Sequence, residues 1–205
     1  MLVAEKIRVK KLGMAEYQPT VEAMREFTAR RGVHTADELW LLEHPPVYTL
    51  GLAADPAHGP RPGGGIPVVQ VERGGEITYH GPGQVVLYTL VDLARRGVKV
   101  KQFVALLEQS VIELLGSRAE RRPGSPGIYV GGAKVAALGI RVARGCAFHG
   151  LALNVDMDLA PFAAIDPCGY PGLKVTQTRD LGYSFSSAVA GEKLAQILVR
   201  TLEHA

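Results

Sequence analysis

The chain has 205 residues, a length that suits one large domain or two small ones and allows a full hydrophobic core. Hydrophobic residues make up 47% and charged residues 21%, and a net charge of +3 without a dense Lys/Arg stripe argues against nucleic acid binding. Two cysteines exclude a disulfide scaffold, and neither a signal-peptide core nor a membrane span is evident, so we expect a cytoplasmic location and no membrane association.

The first half of the chain predicts several strands and one helix. Val21, Met24 and Phe27 recur at helical spacing, which predicts a helix over residues 20–31. Glycine and proline dominate residues 55–67, which we expect to form a loop. Short β-prone runs predict strands over residues 6–11, 38–42, 67–73 and 84–92, with a glycine-rich turn between the last two.

The second half contains the clearest helical pattern, with apolar residues along one face. Because helices flank a run of strands and no linker or repeat divides them, we expect one α+β domain over residues 1–205, with mixed β-sheets flanked by helices. The elements expected here are a helix over residues 100–115, a basic connection over 118–127, a hairpin of strands 134–142 and 146–156, an irregular segment over 160–172 and a helix over 187–204.

Cys168 is the candidate nucleophile. It follows Pro167 and precedes Gly169, a setting unsuited to regular structure, and loops commonly present reactive groups. A free thiol, with a pKa of about 8.5, is mostly protonated at neutral pH, and only its thiolate is a strong nucleophile. An inert buried cysteine is an equal alternative from this context alone. Cys146, in a β-prone apolar segment, is interpreted as a small buried hydrophobe.

Lys134 opens an apolar β-prone segment and is the candidate partner of Cys168. A nearby ammonium stabilises a thiolate, and a partly buried lysine exchanges protons near neutral pH, as general acid–base catalysis requires. Cysteine plus lysine therefore indicates acyl transfer through a thioester. Two alternatives stay open: most lysines at the start of such a strand lie at the surface, and Lys174 is a rival partner.

The glycine-rich run over residues 73–84 is a candidate binding element. Paired glycines let the backbone approach a ligand closely, and their N–H groups can bind an oxyanion or an extended acyl chain. Arg73 and His80 add polar anchors. An ordinary hairpin between the strands 67–73 and 84–92 is an equal alternative.

The predicted hairpin around Arg144 would place Leu138-Gly139 opposite His149-Gly150. Small residues that face each other would leave a slot for a thin apolar substrate chain. His149 taken alone more often indicates a hydrogen-bonded core histidine than a base.

Four runs of the chain together resemble the octanoyltransferase family of lipoate biosynthesis, also called lipoyl(octanoyl) transferases. The likeness covers nearly the whole chain, and the runs occur in the family's order. It implies a fold shared with biotin and lipoate protein ligases. The matching runs are Arg73-Gly-Gly-x-x-Thr-Tyr-His80-Gly-Pro-Gly-Gln84, Gly132-Ala-Lys134 with Ala137-Leu-Gly-Ile140, Arg144-Gly-Cys-x-Phe-His-Gly-Leu-Ala-Leu-Asn154, and Pro167-Cys168-Gly169.

The resemblance also implies roles for individual residues. Cys168 corresponds to the acyl-thioester nucleophile and Lys134 to the lysine that lowers the pKa of that thiol. His149 takes a supporting role behind the substrate-contacting residues, and no cofactor or metal is expected. The substrate-binding residues that it implies are Arg73, Gly74, Gly75, Glu76, Ile77, Thr78, Tyr79, His80, Ala137, Leu138, Gly139, Gly150, Leu151 and Ala152.

The implied reaction transfers an octanoyl group from octanoyl-acyl carrier protein to a lysine of a lipoyl domain, in the E2 subunits of pyruvate and 2-oxoglutarate dehydrogenases or the glycine cleavage H protein. Acyl carrier proteins are typically acidic, so we expect a basic patch of Arg118, Arg121, Arg122 and Arg144 to bind the donor. Two alternatives remain: an ATP-dependent lipoate or biotin ligase on the same fold, and a non-catalytic module that binds acyl chains or lipoyl domains.

Overall fold

The computed structural model describes residues 6–60, 65–167 and 172–204, so Cys168 lies outside the described residues. The helices are α1 (Tyr17–Arg30), α2 (Leu93–Arg96), α3 (Val100–Leu115) and α4 (Ser187–Glu203). Short 3-10 turns lie at Pro56–His58 and Ala160–Ala164. The strands are β1 (Arg8–Met14), β2 (Glu38–Glu43), β3 (Val47–Leu50), β4 (Val68–Gln70), β5 (Ile77–His80), β6 (Gln84–Asp92), β7 (Ala119–Arg122), β8 (Ser125–Val130), β9 (Ala133–Ala143) and β10 (Cys146–Asn154).

The strands form one large and one small sheet. The large sheet has seven strands in the order β1-β2-β6-β10-β9-β8-β7, and the small sheet has three in the order β4-β3-β5. The pairs β1–β2 and β3–β4 are parallel and the other pairs are antiparallel, so both sheets are mixed. The predicted α+β class, with mixed sheets flanked by helices, is confirmed.

Both faces of the large sheet are covered by helices, which explains why its central strands are buried along almost their whole length. In β6, Val85 and Leu87 pack with α3 and α4, whereas Val86 and Tyr88 pack with α1 on the opposite face. This alternation follows from the two-residue period of a strand. A third apolar cluster joins the small sheet to the 3-10 turn Ala160–Ala164. In the part of the chain that the structure describes, no helix has the length and apolar character needed to cross a bilayer.

The structure corrects the sequence predictions on three elements. The expected basic connection over residues 118–127 instead contains β7 and the first half of β8. Pro126 concealed this hairpin, and it takes no part in the pairing of β8 with either neighbour. β3 follows Pro45-Pro46 and was not predicted. The glycine-rich run is not a hairpin between the strands 67–73 and 84–92, because β4 and β6 belong to different sheets and β5 lies between them.

The β9–β10 hairpin forms as predicted, but its register differs by one residue. Its turn consists of Arg144 and Gly145, so Gly139 pairs with Gly150 and Leu138 with Leu151. With Arg144 alone at the centre of the turn, as predicted, Gly139 would have paired with His149 and Leu138 with Gly150. The two glycines nevertheless lie side by side in the sheet, as the slot hypothesis requires.

Asp37, fully buried just before β2, is held by three arginines. Its carboxylate contacts Arg31, lies 2.9 Å from Arg95 Nη2 and 2.6 Å from Arg96 Nε, and accepts a hydrogen bond from the backbone N–H of Asp92. Burial alone would raise the pKa of Asp37, but the Asp92 N–H and these guanidinium groups outweigh burial and lower the pKa. The cluster ties α1, β2 and α2 together.

We expect Asp37→Ala to reduce the free energy of unfolding by about 3–5 kcal/mol at pH 7, because the arginines lose a buried counter-charge. Since the folded-state pKa is lowered, this contribution is present above pH ~4 and is lost as the pH falls through that folded-state value. Urea denaturation at pH 7 and pH 3 measures both effects. Glu26→Ala, which removes an exposed ion pair with Arg30, serves as the control and should change stability by less than about 1 kcal/mol. A loss at Asp37 no larger than that of the control would contradict the expectation.

Candidate active site

Lys134 is buried at the start of β9, with only 4% of its surface exposed. Its Nζ donates a hydrogen bond to the carbonyl oxygen of Pro126, at 2.9 Å, and lies 5.4 Å from the centre of the Tyr129 ring. The Tyr129 ring is itself fully buried, and its hydroxyl bonds to Ser125. The alternative of a surface lysine is therefore wrong.

Gly127, in β8, makes room for the Lys134 side chain. A Cβ at this position would lie 2.4 Å from Lys134 Cε and 3.0 Å from its Nζ. The glycine also has φ of +136°, a conformation that other residues rarely adopt. The position of the amine thus depends on a glycine seven residues upstream.

The chain on both sides of residues 168–171 reaches Lys134. The Lys134 N–H donates to the carbonyl of Lys174 at 2.8 Å, and the N–H of Thr176 donates to the carbonyl of Lys134 at 2.9 Å. On the N-terminal side, Pro167 lines a small cavity of about 10 Å³ together with Lys134. The side chain of the rival lysine, Lys174, is exposed.

The segment that leads to Pro167 is fixed to the small sheet and to the turn Pro56–His58. Tyr48 Oη donates to the carbonyl of Pro161 at 2.8 Å, and Phe162 packs edge-on against Tyr79 with ring centres 5.5 Å apart. His58 Nδ1 lies 2.9 Å from a carboxylate oxygen of Asp166, and this hydrogen bond raises the pKa of His58. The approach to residue 168 is therefore anchored from three places.

A second cavity of about 50 Å³, here called the apolar pocket, adjoins the lysine cavity and shares Thr78 and Ala137 with it. Of the predicted binding residues, only Gly74 and Tyr79 do not line it; Gly74 borders a neighbouring groove and Tyr79 packs against Tyr48. The pocket is lined by Tyr17, Arg73, Gly75, Glu76, Ile77, Thr78, His80, Val86, Tyr88, Ala137, Leu138, Gly139, His149, Gly150, Leu151 and Ala152.

Sequence reasoning missed Tyr17, Val86 and Tyr88 in this lining. The last of these had a signal, because a tyrosine in a strand that is otherwise almost wholly aliphatic brings a polar tip into a buried layer. Tyr17 had none, since α1 reaches the pocket from a distant part of the sequence.

Close backbone contacts hold the loop over residues 73–76 above the pocket. The N–H of Gly74 donates to the carbonyl of Ile140 in β9 at 2.9 Å. A Cβ on Gly139 would lie 2.7 Å from the carbonyl oxygen of Gly74, and one on Gly51 only 2.1 Å from that of Gly75. The buried guanidinium of Arg73 donates to the carbonyl and hydroxyl of Thr49 at 2.7 Å, which ties the loop to β3.

Three buried histidines surround the inner wall of the pocket. His44 bonds to Tyr88 Oη at 2.8 Å, and His80 Nδ1 lies 2.7 Å from Gln84 Oε1. Burial lowers the pKa of His44 and of His149 to about 4 each and that of His80 to about 3. All three rings are therefore neutral at pH 7.

His149 lies in the pocket wall because of its backbone. Ala147 and Leu151 of the same strand face α3 and α4, so a regular strand would direct His149 to that side. Its φ of +61° instead places the ring beside Phe148 and Tyr88, on the opposite face. Both ring nitrogens are buried and bond to no group in the described part of the chain.

The second cysteine, Cys146, is buried as predicted. Burial, and then the carboxylate of Asp92, raise the pKa of its thiol, which disfavours the thiolate. Within residues 6–60, 65–167 and 172–204, no group of three or more His, Cys, Asp or Glu side chains is placed to hold a metal ion.

The predicted basic patch is not a single surface. The Arg122 guanidinium bonds to the carbonyl of Gly132, before the start of β9, whereas Arg144 lies in the turn after its end. Eleven strand residues separate these points, a distance of about 35 Å. Arg118 and Arg121 lie beside and within β7, nearer the start of β9, where they bond to the carbonyl of Leu181 and to the carboxylate of Glu108, so Arg144 is separated from the other three.

Comparison with known proteins supports a common origin over most of the chain. A family model described as the lipoyl protein ligase A/B catalytic domain matches residues 16–201. An octanoyltransferase from Dechloromonas aromatica (strain RCB) is 58% identical over 198 residues, which are 95% of this chain and 96% of that protein.

Solved structures with much lower identity share the fold. The bi-partite lipoate protein ligase of Thermoplasma acidophilum, described with its E2 lipoyl domain, matches with a TM-score of 0.75 at 15% identity, over 96% of this chain and 84% of that one. Biotin protein ligase from Aquifex aeolicus, in complex with biotin and ATP, matches with a TM-score of 0.56 at 12% identity, over 97% and 70%. The expected likeness to biotin and lipoate ligases is confirmed at the level of fold.

We expect Gly139→Ala to displace the loop over residues 73–76, because the added Cβ would meet the Gly74 carbonyl. The Gly74–Ile140 hydrogen bond should weaken, and hydrogen exchange at the Gly74 amide should accelerate by about tenfold or more, as overpacking by one methyl group commonly costs ~1–3 kcal/mol. Gly32→Ala, where nothing lies within 4 Å of the new Cβ, is the control. Unchanged Gly74 exchange in Gly139→Ala would refute this account of the contact.

We also expect stability to fall with acidification from pH 6 to pH 4. Each of the three histidines has a lowered folded-state pKa, so the unfolded chain binds more protons than the folded chain in this range. For each additional proton that the unfolded chain binds, the free energy of unfolding falls by about 1.4 kcal/mol per pH unit of acidification. His149→Asn does not titrate here and tolerates positive φ. The free energy of unfolding of His149→Asn, measured by urea denaturation, should therefore fall less steeply with acidification than that of the wild type, by the contribution of one histidine. If the free energy of unfolding of the two proteins fell equally between pH 6 and pH 4, His149 would not be held neutral by the folded protein in this range.

Proposed function

The chain belongs to the octanoyltransferase family, which transfers octanoyl groups in lipoate biosynthesis, and we propose that it does so through an octanoyl thioester on Cys168, with Lys134 as the acid–base partner. The observation that carries this proposal is convergence on Lys134. Pro167, the residue before Cys168, lines the cavity of Lys134, and Lys174 and Thr176 bond to its backbone. A buried amine beside the approach to a cysteine is a setting that stabilises a thiolate.

In the first step, the Cys168 thiolate attacks the thioester carbonyl of octanoyl-acyl carrier protein. The new bond joins Cys168 sulfur to the octanoyl carbonyl carbon, and the bond to the phosphopantetheine sulfur breaks. That sulfur leaves with the electron pair and takes a proton from Lys134. The exchange of one thioester for another is close to thermoneutral, so no ATP is required.

In the second step, the ε-amine of a lipoyl-domain lysine attacks the octanoyl thioester on Cys168. The amine loses one proton, which Lys134 accepts, and the Cys168 sulfur leaves as a thiolate. The products are an octanoyl amide and the regenerated enzyme. Conversion of a thioester to an amide is downhill, which draws the overall transfer forward.

The apolar pocket is the proposed site of the octanoyl chain. It begins at Thr78 and Ala137, beside the cavity of Lys134, and continues along β9 to Leu138 and Gly139. Burial of the octanoyl chain contributes about 0.8 kcal/mol per CH₂ to its binding free energy, before the costs of binding. The walls also keep water from the thioester, which would otherwise hydrolyse.

The proposed partners are octanoyl-acyl carrier protein as donor and lipoyl domains, those of dehydrogenase E2 subunits and the glycine cleavage H protein, as acceptors. The similarity to a lipoate ligase described with its E2 lipoyl domain supports the acceptor class. A cytoplasmic location is part of the same proposal.

The test is to incubate the protein with octanoyl-acyl carrier protein in the absence of ATP and to measure intact mass, followed by peptide mapping. One octanoyl group should appear on Cys168, be removed by hydroxylamine and pass to a lipoyl-domain lysine. Cys168→Ser should abolish this transfer. Cys146→Ser is the matched control, since this buried thiol is placed far from Lys134 in the turn region of β10 and should leave transfer intact.

Other outcomes identify the alternatives. Activity that requires ATP and free octanoic or lipoic acid would indicate a ligase. Binding of the acylated donor with no modification of Cys168 would indicate a binding module. Lys134→Ala should slow formation of the acyl-enzyme by at least about 100-fold, the usual contribution of acid–base catalysis.

A further inference from the structure

Glu108 of α3 is a buried carboxylate with no role in the proposed reaction steps. Only 8% of its surface is exposed, and it follows Leu107 on a helix whose inner face is otherwise mainly apolar. Burying a carboxylate is costly unless its oxygens are hydrogen-bonded. Both oxygens are used: Oε1 accepts from the N–H of Gly127 at 3.1 Å, and Oε2 lies 3.1 Å from Arg121 Nε.

The bond to Gly127 matters because of the peptide unit it engages. The N–H of Gly127 and the carbonyl of Pro126 belong to one planar peptide, and in a trans peptide they point in opposite directions. The Pro126 carbonyl accepts the hydrogen bond from Lys134 Nζ at 2.9 Å. One peptide therefore lies between a carboxylate and the amine of Lys134.

We propose that Glu108 is a positioning residue that holds the Pro126–Gly127 peptide with its carbonyl directed at Lys134 Nζ. The inference rests on the role proposed above for Lys134. The peptide dipole is aligned with both charged partners, its N–H toward the carboxylate and its C=O toward the amine, and such chains of hydrogen bonds strengthen one another. The Glu108–Gly127 contact also holds a peptide that the sheet does not hold by regular pairing, because Pro126 pairs with neither neighbouring strand and Gly127 has φ of +136°.

Three variants of Glu108 test this proposal by single-turnover formation of the octanoyl-enzyme. Glu108→Ala should reduce the maximal rate by about tenfold or more, while the donor concentration for half-maximal rate stays nearly constant, because the donor is not contacted. Glu108→Gln retains an oxygen that can accept from Gly127 and should stay within about threefold of the wild type. Glu108→Met fills the same space without that acceptor and should behave like Glu108→Ala, which covers the case in which the alanine variant does not fold.

Glu113→Ala is the matched control. Glu113 lies on the same helix, and its carboxylate pairs with Arg200 of α4 at the surface. It should leave the rate unchanged. Thermal unfolding of every variant separates a loss of rate from a loss of folded protein. A folded Glu108→Ala or Glu108→Met enzyme with the wild-type rate would overturn the proposal, as would a Glu108→Gln variant as slow as both.

A double variant separates this inference from the proposed function. Because Glu108 acts through Lys134, adding Glu108→Ala to Lys134→Ala should cause no further loss of rate. Additive losses would show that Glu108 acts independently of Lys134. If Lys134→Ala alone kept the wild-type rate, the proposed function would fail and this inference with it. If Lys134→Ala lost the rate and Glu108→Ala did not, only this inference would fail.

Discussion

The apolar pocket depends on one contact between the loop over residues 73–76 and the large sheet, the bond from the N–H of Gly74 to the carbonyl of Ile140. Pairing between β8 and β9 extends no further than Gly127 and Ala137, so the rest of β9 has a free edge toward this side. The loop over residues 73–76 lies along that edge and forms the roof of the pocket. Such an approach requires residues without a Cβ, and Gly139 and Gly74 meet this requirement at the closest point.

The same strand carries the two chemical parts of the site at separate positions. Lys134 stands at its beginning, and the apolar wall follows from Ala137 to Gly139, so the proposed acid–base group and the proposed site of the acyl chain lie along one strand. Burial keeps His80 and His149 uncharged, which leaves the inner wall without a full positive charge at these two positions. Neutral imidazoles at these two positions admit an uncharged chain at a smaller desolvation cost than imidazolium groups would.

Sequence reasoning predicted the local patterns well and the long-range contacts poorly. Helical periodicity located α3 and α4, and two short apolar runs located the β9–β10 hairpin, because these signals come from neighbouring residues. Nothing local revealed that Tyr17 would reach a pocket built mainly from residues beyond position 72, or that Glu108 would bond to Gly127. The side to which His149 turns was equally hidden, because it depends on a positive φ that a histidine adopts only in a particular surrounding.

The fold alone does not determine the chemistry of this site. Proteins that share it at 12–15% identity include a biotin protein ligase described in complex with biotin and ATP, so the same scaffold occurs with different ligands. An octanoyl thioester is already activated, and its transfer requires a nucleophile, a proton acceptor and a dry channel. The described residues supply two of these, a buried amine at Lys134 and an apolar pocket beside it. In the proposed mechanism the nucleophile is Cys168, whose thiol can become a strong nucleophile near neutral pH when an ammonium group lies beside it.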